Sequence, residues 1–219
     1  RKAGRLMSKF VCWFVKITGI LPQFILFRTK VHYRNKKAQS RKINGPAIVV
    51  SNHSSIYDFA VMMFVFWRNT LRCLVAKVIY NKNKFTHWLL KRLGGIKIER
   101  KAFDFKFVDE AVKILEQGGI VEIYPEARLP LPNEKRPLPF KPSAAYIAML
   151  SGAPIIPVYT NGSYFNLKKR AHVMIGEKID TNSLIDPTAS EKENIEKITN
   201  HLRNVIMELG NELNEEIKT

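Results

Sequence analysis

The chain has 219 residues, 46% of them apolar and 11% aromatic, which suits one domain with a full core and excludes general disorder. Thirty-six Lys and Arg against nineteen Asp and Glu leave a formal charge of +17, so the expected partner is polyanionic: nucleic acid, an anionic bilayer or a phosphorylated substrate. Two cysteines, Cys12 and Cys73, exclude a disulfide framework and a cysteine-based zinc site, and a reducing compartment is the default.

In chain order, the first feature is the apolar stretch 10–27 (FVCWFVKITGILPQFILF), interrupted by Lys16, Gly19, Pro22 and Gln23. A spanning helix needs about 20 mostly apolar residues, and Pro22 should break or kink any helix there. The stretch is read as a bent helical pair dipping into one leaflet. A tilted single span and a buried core helix stay open as alternatives. A signal peptide is disfavoured, since no small-residue cleavage site follows. Residues 28–42 carry Arg28, Lys30, Arg34, Lys36, Lys37, Arg41 and Lys42 with no acid, a basic collar suited to anionic headgroups. The expected organisation is therefore a membrane-associating segment with its collar over 1–42 and an α/β domain over 43–219, on the cytoplasmic face of a membrane, monotopic or singly anchored.

After the collar the pattern alternates. Strands are predicted at 47–50, 71–76, 96–98, 120–124, 155–160 and 172–175. Helices are predicted at 56–67, at 81–93 with Gly94 and Gly95 as its stop, from Asp104 to Gly118, and at 143–150. Five prolines make 129–142 a stiff surface loop. A final Glu-rich helix repeats Ile195, Ile198, Leu202, Val205, Ile206, Leu209 and Leu213 at the spacing of one docked face. Helices alternating with buried strands predict an α/β fold, a largely parallel mixed sheet covered by helices on both faces, with ligands beyond the carboxyl ends of its strands.

His53 and Asp58 follow the first domain strand. On one continuous helix their offset would leave the side chains roughly 140° apart. With His53 on the turn and Asp58 in the first helical turn, the carboxylate accepts from Nδ1 and leaves Nε2 as a base. A surface His beside a helix-capping Asp fits the same two residues at even odds. Lys77, Arg100 and Arg128 each follow a predicted strand, as does Glu126, so three cations and a His at one sheet edge suggest a phosphate-binding cleft with a base inside it. Singly, each cation reads better as a solvated side chain of a basic protein. No helix-turn-helix, zinc, RRM or KH signature accompanies the charge, so nucleic acid is not the expected partner. A non-catalytic membrane scaffold leaves His53 and Asp58 without a task.

Four ordered blocks resemble the phospholipid and glycerophospholipid acyltransferases related to 1-acyl-glycerol-3-phosphate acyltransferase, over about residues 45–177. SNHSSIYD (51–58) resembles the first, GGIKIER (94–100) the second, YPEARLP (124–130) the third and APIIPVY (153–159) the fourth, and LPFKPSAA (138–145) resembles the Phe-Lys segment between the last two. In the third block Ala127 stands where the family has Gly, and Arg128 comes two residues after Glu126 rather than three, with Leu129 in the arginine's place. Ser143 replaces the Gly after the Phe-Lys pair.

The resemblance implies an O-acyltransferase using acyl-CoA or acyl-ACP as co-substrate, with no cofactor and no metal. Lysophosphatidic acid is the first-choice acceptor, ahead of lysophosphatidylethanolamine and glycerol 3-phosphate. His53 would deprotonate the acceptor hydroxyl under the guidance of Asp58, and backbone N–H groups near the start of the 56–67 helix would steady the oxyanion. Arg100, with Glu126, Arg128 and Lys77, would hold the headgroup.

Overall fold

The computed structural model describes residues 2–99, 105–131, 133–134, 136–166 and 168–218, with side chains from residue 10 onward. Among these, the chain runs α1 (Lys2–Pro22), a π-helical turn (Gln23–Phe27), β1 (Lys30–Tyr33), β2 (Ala47–Ser51), α2 (Asp58–Val65), β3 (Leu71–Ala76), α3 (Lys77–Tyr80), α4 (Lys84–Leu93) and β4 (Ile96–Ile98). It continues through α5 (Lys106–Glu116), β5 (Ile120–Ile123), α6 (Ser143–Ser151), β6 (Ile155–Thr160), β7 (His172–Ile175), a 3-10 turn (Thr181–Leu184) and α7 (Glu191–Lys218).

The strands form one seven-stranded sheet in the order β1-β7-β6-β2-β5-β3-β4, parallel throughout except between β6 and β7. This is the largely parallel, mixed α/β sheet that the alternating pattern predicts. The central strand β2 is buried at every position, as expected where helices cover both faces. Its side chains alternate between two cores. Ile48 and Val50 pack with Leu115 of α5, Ile147 of α6 and Ile198, Leu202 and Ile206 of α7. Ala47 and Val49 pack on the other face with Val61, Met62 and Val65 of α2 and with Phe27.

Because β2, β3, β4, β5 and β6 run the same way, the segments leaving them meet along one edge. Register fixes their heights: Val50 lies opposite Ile123 and Ser51 opposite Val158. The chain at 52–57, at 124–126 and at 161–165 therefore emerges side by side.

Several local outcomes differ from the sequence reading. The helix expected over 81–93 is two helices, because Asn83 adopts an extended conformation and its side chain accepts from the Thr86 N–H at 2.7 Å, capping α4. Gly94 ends α4 at φ +78°, a conformation that favours glycine, and a Cβ there would collide with the Arg72 side chain. Helix 56–67 contracts to Asp58–Val65, and the expected start at Asp104 lies outside the described residues.

The N-terminal stretch is continuously helical. Instead of breaking at Pro22, it passes from α- to π-type winding there and stops at Arg28, which takes a left-handed φ of 47°. Over Phe10–Phe27 it is long and apolar enough to cross a membrane by length and composition. One face packs on the domain: Val11, Cys12 and Val15 meet Phe59 and Met63 of α2 and Leu89 and Leu93 of α4. The collar, expected outside the α/β domain, supplies β1, which pairs with β7 from Lys30–His172 to Tyr33–Ile175. The boundary drawn at residue 42 thus runs through the sheet. The charges of KVHY hid a strand whose His32 is buried.

Candidate active site

His53 stands on the turn leaving β2, and Asp58 is the first residue of α2. The Nδ1 of His53 lies 2.9 Å from Oδ2 of Asp58. The same oxygen accepts the backbone N–H of Ser54 at 2.7 Å and of Ser55 at 2.8 Å, while Oδ1 accepts the Tyr164 hydroxyl at 2.7 Å. The side chain of Asp58 is 0% exposed and that of His53 20%. Four donors converging on this buried carboxyl group replace the hydrogen bonds that burial takes from it. Burial, and next the Asp58 charge, hold the Tyr164 phenol well above its ordinary pKa, so it acts as a neutral donor. With Nδ1 turned to the acid, Nε2 is the basic position of the ring.

The ring is also held from below. Tyr124, just beyond β5, stacks on His53 with centroids 4.6 Å apart and planes 25° from parallel. Its hydroxyl donates to Glu122 Oε1. Glu122 is fully buried on β5, and burial pushes its carboxyl up to about 8, so it is protonated at neutral pH. Its Oε2 has no partner among the described residues. A second brace comes from Asn52, whose Oδ1 accepts Thr160 N–H at 2.8 Å and whose Nδ2 donates to Thr160 O at 2.9 Å, tying the exit of β2 to the end of β6. Thr160 Oγ1 lies 2.9 Å from the Tyr164 hydroxyl and closes the circuit back to Asp58.

The structure brings together three of the residues singled out in the sequence: His53, Asp58 and Glu126. Glu126 sits there in a different capacity from a headgroup contact. Its Oε1 accepts the His53 N–H at 2.7 Å and its Oε2 the Leu138 N–H at 2.8 Å, so it straps the proline-rich loop to the His53 turn. Burial raises its pKa, against the pull of those two N–H groups. The preceding departure also has a structural reading. Ala127 occupies φ +59°, the conformation for which a glycine is expected at this block; alanine holds it at a cost of about 1 kcal/mol.

Arg128 does not point into the cleft as a free cation. It forms a two-pronged pair with Glu134 at 2.6 Å on each arm, on the exposed loop. Lys77 opens α3 at the sheet's carboxyl edge and is ion-paired with Glu99 beyond β4, away from the His53 side. Arg100 lies outside the described residues. Of the N–H groups near the start of α2, those of Ser54 and Ser55 serve Asp58, that of Tyr57 donates to Ser55 Oγ and that of Asp58 to Ser55 O. Among the described residues no cluster of three or more His, Cys, Asp or Glu could hold a metal ion.

Sequence reasoning passed over Tyr164, Tyr124, Asn52 and Glu122. Asn52 and Tyr124 lie inside the SNHSSIYD and YPEARLP blocks without a role being assigned to them, and Glu122 left a signal as an acid inside an otherwise apolar strand.

The arrangement supplies an oriented, partly exposed imidazole at the open edge of a parallel sheet, and can take a proton from a hydroxyl delivered there. The chain is 22% identical, over 172 residues covering 77% of it and 83% of the relative, to the 1-acyl-sn-glycerol-3-phosphate acyltransferase of Bacillus subtilis (strain 168). Its fold is similar to the crystal structure of the 1-acyl-sn-glycerophosphate (LPA) acyltransferase PlsC from Thermotoga maritima, with a TM-score of 0.62 and 20% identity over 95% of this chain and 82% of that one. A family model described as Acyltransferase matches residues 28–161, more than half of the chain and the span that contains His53, Asp58 and Glu126, and the protein therefore belongs to the acyltransferase family.

Proposed function

We propose that this chain is a membrane-seated 1-acylglycerol-3-phosphate O-acyltransferase, moving a fatty acyl group from acyl-CoA or acyl-ACP to the free hydroxyl of lysophosphatidic acid. The observation that carries the reading is the His53–Asp58 pair, 2.9 Å apart and braced on both sides, at the edge where the sheet opens. Nε2 of His53 removes the acceptor proton as the hydroxyl oxygen bonds to the thioester carbonyl carbon. The imidazolium so formed is stabilised by Asp58. When the tetrahedral intermediate collapses, the C–S bond breaks and the departing thiolate takes the proton from Nε2. Tyr164 keeps Asp58 aimed, and Glu126 keeps the His53 backbone in place. Arg100 is the proposed holder of the acceptor phosphate, on the resemblance of GGIKIER alone.

Membrane seating is supported by α1, which exposes Phe10, Trp13, Phe14, Ile17, Ile20 and Leu21. It turns inward a lysine, whose Nζ donates to Trp67 O at 2.7 Å and Asn69 O at 2.6 Å. A helix docked lengthwise in this way suits a monotopic position in one leaflet better than a span.

The test uses the full chain on phospholipid vesicles with labelled acyl-CoA or acyl-ACP and a panel of lysophosphatidic acid, lysophosphatidylethanolamine and glycerol 3-phosphate. Phosphatidic acid is the expected product. His53→Ala is expected to lose about a thousandfold in kcat/KM while still binding vesicles; ordinary turnover by it overturns the base assignment, and a preference for another lysolipid overturns the acceptor. Arg100→Ala is expected to raise KM for the phosphorylated acceptor, and unchanged kinetics remove it from the site.

A further inference from the structure

α1 is not the only element whose apolar side chains lack a cover. Along α4 a single stripe runs Leu93, Leu89, Phe85 at helical spacing. Leu93 is buried against α1 and α2 and Leu89 is partly covered by them, yet Phe85 is 68% exposed. Trp88 stacks on Phe85 with ring centroids 6.1 Å apart and is itself 48% exposed. One short turn earlier, α3 leaves the carboxyl end of β3 with Val78 84% and Ile79 48% exposed. Four large apolar side chains thus stand in water within the eleven residues 78–88, on a segment whose helix α4 packs against α1.

The charge of the segment says what covers them. Lys77 is paired with Glu99, but over residues 78–98 the sequence contains Lys82, Lys84, Lys91, Arg92 and Lys97 and no acid. It is a second acid-free basic stretch besides the collar. A second copy of the chain would bring like charge against like charge on this surface. A soluble acidic partner would complement the net charge but leave Val78 and Phe85 with no apolar counterpart. An anionic bilayer supplies both: phosphates at the height of the lysines and hydrocarbon just below, with Trp at the boundary where its ring and N–H are each matched.

We propose that α3–α4 is a second bilayer contact, an arm that inserts Val78, Ile79, Phe85 and Trp88 into an anionic leaflet alongside α1 and so fixes the tilt of the domain, not only its attachment. The proposal deepens the membrane-seated reading above and rests on it. α1 tethers the domain along one line, and an arm projecting from β3 supplies the second line that defines a plane. The carboxyl edge of the sheet, from which α3 departs, then faces the lipid.

The experiment compares three full-length forms on vesicles of phosphatidylcholine with and without phosphatidylglycerol: the parent, Phe85→Asp/Trp88→Asp in the arm, and Phe14→Asp/Ile17→Asp in α1. The arm variant is expected to lose roughly tenfold or more in partitioning to anionic vesicles, with unchanged thermal unfolding in lipid-free buffer because both side chains are exposed. A second measurement does not depend on loss of function. In Trp13→Phe/Trp67→Phe, Trp88 is the remaining tryptophan of the three, and brominated acyl chains are expected to quench it on binding. Binding by the α1 variant falling while the arm variant matches the parent, or a bound protein whose Trp88 stays unquenched, overturns the arm and leaves the α1 anchor standing. A parent that binds no vesicle overturns both. Equal partitioning to vesicles with and without phosphatidylglycerol overturns the anionic choice, and Trp88 buried by self-association without lipid overturns the bilayer as occupant.

Discussion

The two longest helices of the chain, α1 and α7, solve the same problem in opposite ways. α7 buries Ile198, Leu202, Ile206, Leu209 and Leu213 against the sheet and turns its glutamates outward, where Glu212 accepts from Arg34 at 2.6 and 2.9 Å and Glu216 lies 2.6 Å from His32. α1 reverses the pattern: among its described side chains the buried ones are Cys12 and Lys16, and Phe10 and Phe14 are exposed while Trp13 stands half-exposed, edge-on to Trp67 at 5.6 Å. An apolar stripe directed inward is the arrangement water demands; one directed outward with a lysine inside is stable where the surroundings are apolar. The difference marks off the part of the molecule that buries its own apolar faces, the sheet with α7 and the His53 network, from a helix that leaves one apolar face uncovered.

Substitutions can sharpen that division, and the largest effect is expected at the site. Asp58→Asn leaves one oxygen to meet the N–H groups of Ser54 and Ser55 and the Tyr164 hydroxyl, and sets an amide against the imidazole. A loss of about a thousandfold in kcat/KM is expected, with about 2 kcal/mol of stability lost in denaturant titration. Activity near the parent's would place the site outside the self-contained part. In α7, Leu202→Ala should cost about 3 kcal/mol, since the residue is 1% exposed and bordered by α6 and the sheet.

A smaller, pH-dependent effect is expected at Glu122. Its folded pKa of about 8 lies above the ordinary carboxylate value, so between the two the folded state holds a proton that the unfolded chain has released. Stability therefore falls as pH rises from about 4.5 towards 8. Glu122→Gln cannot ionise, so its melting temperature should gain on the parent's as pH is raised; a constant difference across that range would mean Glu122 titrates normally. The smallest effect is expected in α1, where Ile17→Ala should change stability in lipid-free buffer by less than about 0.5 kcal/mol, because the side chain is already 61% exposed. A larger loss would erase the contrast with Leu202.

What the sequence disclosed follows from range. His53 and Asp58 sit on one turn, so local spacing suffices to pair them. The long periodic helices and the β-branched strands were legible for the same reason, and β7 has the expected bounds. Tyr164 reaches Asp58 across 106 residues, and no local pattern announces it. Asn52 and Tyr124 likewise gain their roles only when β6 and β5 flank β2. The cations fail in the other direction. Lys77 and Arg128 look free in the chain, but the neighbouring strand brings Glu99 to the first and the loop folds Glu134 onto the second. Pairing of surface charge depends on geometry that composition does not carry.

The ammonium of Lys16 works as a dowel. Seated between the carbonyl oxygens of Trp67 and Asn69, just past α2, it prevents α1 from rolling about its own axis without stranding a cation in the interior. The N-terminal helix is thereby pinned to one end of α2, and the His53 turn stands at the other. In the proposed membrane seating, the depth to which the exposed face of that helix settled would set the height of the imidazole above the phosphate plane, and so which lipids could reach it without leaving the leaflet.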